Sequence, residues 1–146
     1  MRNGEFALPS AQTETAPPKP RAITRDRAAF TRLVRGIVFD FLKRLWQGDE
    51  AGALELAPKA EEAAGSPAER IEAFRQARGR LRFDPEARNA KHFLVKEDGA
   101  TRTWRVEQTL VDAEESNDWS VAFAVDLDAS DAAGAPVLRW EQLAER

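Results

Sequence analysis

The sequence predicts an α+β fold, with N-terminal helices packed on one face of a four-stranded antiparallel sheet. Three observations lead there. Apolar residues recur at helical spacing as far as Phe74, the period changes from 3.6 to 2 after "FDPE", and polar, turn-forming connections separate the later apolar runs. The length of 146 residues suits one domain, and 42% hydrophobic with 32% charged residues is ordinary for a globular chain.

The first 22 residues stand apart. Pro9, Pro17, Pro18 and Pro20 lie among Ser, Thr, Ala and Gln with few apolar anchors. Such a segment buries too little surface to offset its ordering entropy, so residues 1–22 are expected to be a disordered, proline-rich linker. A linker implies a neighbour, and Met1 is therefore expected to mark a cut or truncated form of a longer chain. Residues 23–146 are expected to form a single α+β domain.

Its first helix should begin at Thr24 as N-cap, with Asp26 in the first turn and Ile23 as a hydrophobic staple. Phe30, Leu33, Val34, Ile37, Phe41, Leu45 and Trp46 follow at helical spacing and should face the core. Gly48 stops this helix, and Asp49 caps a short second one through Leu54 and Ala57 that Pro58 ends. "SPAE", Ser66 to Glu69, is a capping box with proline at the first helical position. It opens a third helix that turns Ile71 and Phe74 inward and fades near Gly79.

Strands are read near 91–97, 103–111, 119–127 and 136–142, separated by "EDGA", "DAEESND" and "SDAAGAP". Trp104, Val106 and Leu110 share one face of the second strand; Trp119, Val121, Phe123, Val125 and Leu127 share one face of the third. Alternation of this kind belongs to an antiparallel sheet whose other face is solvated. The four tryptophans, Trp46, Trp104, Trp119 and Trp140, offer stacking surfaces for bases, but their places on apolar faces favour core packing.

Composition excludes several functions. No run approaches 18 apolar residues, so no membrane span or membrane partner is expected, and "MRNGEFALPS" has no apolar core for a secretory signal. The absence of cysteine removes disulfides, thiolate metal sites and cysteine nucleophiles, in keeping with the cytoplasm. Neither GxxxxGK[ST] nor GxGxxG occurs, so no phosphate cradle is visible and no ATP hydrolysis by the domain alone is expected. Asp126, Asp128 and Asp131 offer hard oxygen ligands, yet the calcium-loop pattern counted from Asp126 meets Asp131 and Val137 where Gly and Glu belong. They read as the end of a strand turning into a loop. His92, the single histidine, has no nucleophile elbow or zinc signature around it. No catalytic, cofactor-binding or metal-binding residue is assigned.

Charge is unevenly placed. Residues 1–91 carry 17 Lys and Arg against 13 Asp and Glu, and residues 92–146 carry 5 against 12. Arg32 and Arg35 on the first helix, with Arg75, Arg78, Arg80 and Arg82 of "RQARGRLR", form a candidate nucleic-acid or docking patch. The alternative is a solvated helix face whose arginines answer the acidic sheet, including "DAEESND".

Three stretches carry a resemblance: "PPKPRAITRDRAAFTRLVR", "GRLRFDPEARNAK" and "TWRVEQTLVDAEESNDWSVAFAVDLDASDAAGAPVLR". They resemble a C-terminal domain of unknown function of bacterial DEAD/DEAH-box helicases. In that family a W.V.Q.L.D segment runs into a DW pair and then VDL.AS..AG..V. Trp104, Val106, Gln108, Leu110, Asp112, Asp118, Trp119 and the residues from Asp126 onward match it here. The likeness covers about residues 17–143. It implies a non-catalytic accessory module that docks on the helicase core of its parent chain, the helicase and ATPase roles belonging to the parent; single-stranded RNA or DNA is a further candidate partner, offered by the arginines and not by the resemblance. Residues 1–22 would then be the connector leaving the second helicase lobe.

The helices and the "LWQGDEAGALELA" turn before a four-stranded meander are also similar to the nuclear-transport-factor-2-like fold, in which a curved sheet wraps a cone-shaped pocket. That analogy implies a small-molecule-binding or enzymatic pocket protein as the alternative, although the Tyr/Asp equipment of its isomerases has no counterpart in a chain without tyrosine. A free-standing protein-interaction domain is the third reading. A deep apolar cavity would favour the pocket protein; a filled core with a basic ridge would favour the accessory module.

Overall fold

Asp26 starts the first helix by accepting a hydrogen bond from the Ala29 amide at 3.1 Å. This comes from a computed structural model that describes residues 22–146; the linker expected over 1–22 lies outside the described residues save for Ala22. Helix α1 then runs Arg27–Trp46. Thr24 is not its cap, as the sequence suggested. It sits in a short 3-10 turn, Ile23–Arg25, and its amide and hydroxyl bond instead to Asp131 at 3.1 and 3.0 Å. A contact across 107 residues holds Thr24 outside the helix, and Asp26, expected in the first turn, caps it instead.

Helix α2 is Glu50–Leu56, with the Asp49 carboxylate accepting from the Gly52 amide at 2.9 Å. Helix α3 is Pro67–Arg78 and shows both halves of the capping box between Ser66 and Glu69. Gly48 and Gly79 end α1 and α3 at φ of 86° and 83°, backbone that L side chains rarely adopt.

Four antiparallel strands follow in the order β1-β2-β3-β4: β1 Phe93–Asp98, β2 Thr103–Leu110, β3 Trp119–Asp126 and β4 Leu138–Glu145. The expected α+β class is therefore present, with strand ends displaced by a few residues. The period-2 pattern was carried too far at Leu127. Asp126 caps a further helix, α4 (Leu127–Ala133), by accepting from Ala129 N at 2.9 Å, where the sequence suggested a loop.

The helices pack on one face of this sheet through edge-to-face aromatic pairs. Phe30 meets Trp104 with ring centroids 5.2 Å apart, Phe41 meets Phe123 at 5.0 Å, and Phe74 meets Trp119 at 5.7 Å. Register aligns Val106 with Phe123 and Phe123 with Trp140, so one apolar row crosses three strands. A bulge in β4 opposite Ala122 and Phe123 shifts the register between β3 and β4. Leu33, expected inward on α1, is instead 51% exposed, and Val38, Phe39 and Leu42 take the buried positions. The apolar stripe of α1 is wider than the spacing chosen from the sequence, and Leu33 falls on its far edge.

The opposite face of β3 is buried too, contrary to the solvated face expected. Ser120, Ala122 and Ala124 are 3%, 0% and 9% exposed. Arg105 of β2 donates to Glu141 of β4 at 3.1 Å, an ion pair that crosses over β3. Long charged side chains bridge the flanking strands, and only small residues fit beneath them. At the outer edge of β4, Pro58 O accepts from Trp140 N at 2.8 Å and Ala60 N donates to Trp140 O at 2.9 Å. The segment after α2 thus covers part of an edge that would otherwise present unpaired backbone groups. Among the described residues no helix is long and apolar enough to cross a membrane.

Candidate functional site

The carboxylates of the third strand's end are held by structural partners. Asp126 caps α4, and Asp128 pairs with Arg102 at 2.7 Å. Asp131 accepts from Thr24 and lies 3.4 Å from Arg102. Burial pushes the Asp131 carboxyl up, but the Thr24 amide and hydroxyl with Arg102 outweigh it and hold the group below its ordinary value. Among the described residues no three His, Cys, Asp or Glu are grouped to hold a metal ion. His92 lies in a 3-10 turn (Ala90–His92) ahead of β1, not on a strand; it is buried, with Nε2 3.4 Å from Glu86.

The six arginines of the candidate patch do not share one surface role. Arg78 is engaged inside the protein's own charge network. Its Nε donates to Asp118 Oδ1 at 3.0 Å, its Nη2 bonds the other oxygen, and Asp112 and Glu145 lie at 3.6 and 3.9 Å. The Asp118 hydrogen bond raises the Arg78 pKa, and the same bond lowers that of Asp118. Arg82 is likewise held by Asp84 at 2.7 Å and Glu115 at 3.0 Å, both raising its pKa. These two arginines therefore answer "DAEESND". Arg75 lies over Trp46, 3.8 Å from the ring centre, and also reaches Glu72 and the Trp46 carbonyl. Arg80 is exposed beyond the end of α3.

Arg32 and Arg35 differ. They line an open hollow of about 330 Å³ together with Gly36, Phe39 and Arg88. Arg88 reaches this place because Asp84 stabilises a turn, accepting from Ala87 N at 3.0 Å through its side chain and from Arg88 N at 3.1 Å through its carbonyl. Arg35 Nη2 donates to the Arg88 carbonyl, tying α1 to this turn. Each of these two guanidinium groups lies over a ring, Arg35 at 5.7 Å from Phe93 and Arg88 at 5.0 Å from Phe39. The sequence reading missed Arg88. "DPEARN" signals a turn, but nothing local says that it folds against α1.

A small α+β module emerges, with an aromatic-filled inner sheet face, an ion-paired outer face and one arginine-lined hollow. The family described as "Domain of unknown function (DUF3516)" matches residues 2–143, and the chain belongs to it. No curated protein and no solved structure matches the chain.

Proposed function

We propose that this domain is a non-catalytic accessory module of a DEAD/DEAH-box helicase that docks on the helicase core. The filled inner face of the sheet carries this reading over a pocket protein. In a cone-shaped pocket protein that face lines the ligand cavity; here Phe30, Phe41, Phe74, Trp104, Trp119, Phe123 and Trp140 occupy it, none more than 6% exposed. The helicase itself is suggested by the resemblance over residues 17–143, and the absence of a phosphate-binding loop in the sequence supports a role without catalysis. The cytoplasm is the expected setting.

Calorimetric titration of the chain into the purified two-lobe helicase core of the same organism tests this. Saturable binding, with a change in the core's ATPase rate, is expected. An inert mixture would refute docking, and ATP hydrolysis by the domain alone, above contaminant controls, would refute the non-catalytic role.

A further inference from the structure

We propose that Arg32, Arg35 and Arg88 form a binding site for backbone phosphates of a single-stranded nucleic acid, with Gly36 as its floor. This deepens the accessory-module reading and rests on it only for the source of the strand. The chain alone suffices for the test, so failure of docking leaves the proposal standing.

The charge environment is the first argument. No carboxylate lines the hollow, and no ion pair involves its three arginines among the described residues. Arg78, Arg82, Arg102 and Arg105, by contrast, are neutralised by carboxylates of the same chain. Three arginines without an ion pair thus converge on one hollow, on a chain of net charge −3.

Geometry is the second. The guanidinium groups of Arg35 and Arg88 lie over the Phe93 and Phe39 rings at 5.7 and 5.0 Å, contacts that position them while leaving N–H donors to meet an oxyanion. Arg35 Nε is buried without an acceptor, a donor the fold does not satisfy.

Gly36 is the third. It stands in the interior of the 20-residue α1, where glycine weakens a helix. An added Cβ would meet nothing within 4 Å, so packing does not require glycine there. Its absence of a side chain leaves the helix backbone open to close approach by a ligand. Beside it Leu33, one turn earlier on the same helix, is 51% exposed and offers an apolar surface for a base. An open hollow with an apolar margin suits a phosphodiester strand better than a free ion.

The experiment measures fluorescence anisotropy of short labelled single strands of RNA and DNA with the 146-residue chain at low salt. Weak binding is expected, with log K falling against log salt at a slope of about 2, roughly 0.7 for each of three phosphate contacts. Arg32→Glu, Arg88→Glu and Gly36→Glu should each weaken binding about fivefold, equivalent to about 1 kcal/mol. Arg80→Glu changes net charge equally outside the hollow and should leave affinity within about twofold. Gly36→Ala puts a methyl group on the floor of the hollow and should weaken binding roughly threefold. No binding to either strand overturns the proposal, and so does an Arg80→Glu effect equal to that of Arg32→Glu. Competition by polyglutamate as effective as by the strand would assign the hollow to an acidic protein partner and overturn it. Competition by inorganic phosphate at strand concentrations would assign it to a free anion, with the same consequence.

Discussion

Arg78 and Asp118 form a two-point ion pair that joins the last residue of α3 to the residue before β3, with Nε to Oδ1 at 3.0 Å. The same guanidinium faces Asp112, which is 2% exposed and whose Oδ1 accepts from the Glu114 and Ser116 amides at 3.0 Å each. One cation thus ties together the two ends of the acidic connection between β2 and β3, while Arg82 holds Glu115 within it.

That network makes stability depend on acid. Hydrogen bonding to Arg78 depresses the Asp118 pKa, and Asp84 is depressed by the Ala87 amide and then by Arg82. A depressed carboxylate favours the folded state above its unfolded pKa, because the unfolded chain takes up the proton first as pH falls. Melting temperature should therefore be flat through neutral pH and decline below about pH 4 as the folded values are crossed. Asp118→Asn should melt lower at pH 7 and show a shallower acid decline. Parallel acid limbs for the two proteins would contradict this account of Asp118.

Ser130 ties three elements together from a fully buried position. Its Oγ donates to the Asp126 carbonyl at 2.6 Å and accepts from the Val137 amide at 2.8 Å, joining the end of β3, α4 and the approach to β4. Ser130→Ala would leave the Val137 amide without its acceptor, at a cost of about 1–3 kcal/mol. Urea denaturation measures it, and a loss below a few tenths would mean the amide finds another partner.

The capping box of α3 should matter less. Ser66→Ala removes the acceptor of the Glu69 amide, 3.1 Å away, and should cost about 1 kcal/mol. Glu69→Ala removes the reciprocal bond to the Ser66 amide, 3.3 Å long, and should cost less. Denaturation midpoints that rank the two variants in the opposite order would show that the long bond is the stronger.

Gly36→Ala should stabilise the domain by up to about 1 kcal/mol, since the position is helical and the new Cβ has open space. A lower melting temperature for this variant would mean that glycine serves the fold itself.

Much of the architecture was legible from local chemistry. Asp49, "SPAE", Gly48 and Gly79 act through neighbours within one or two turns, so composition at fixed spacing is enough to place α2, α3 and the ends of helices. Alternation likewise located four strands, because a strand's face follows from the pleat alone. The errors fall where a distant partner competes. Thr24 was a plausible cap until Asp131 bound it, and Leu33 belonged to an apolar period whose real boundary depends on the sheet beneath α1.

The candidate arginines divide along the same line. Their number, and the acidic connection able to answer them, are properties of the sequence by itself, as are the α+β class and the lack of a phosphate-binding loop. Only the tertiary structure decided that Arg78 and Arg82 are neutralised internally while Arg32 and Arg35 meet Arg88 across a hollow. The reason is physical. Ion pairing depends on separation in space, Arg78 and Asp118 stand 40 residues apart and Arg35 and Arg88 53 apart, and only folding brings such residues within reach.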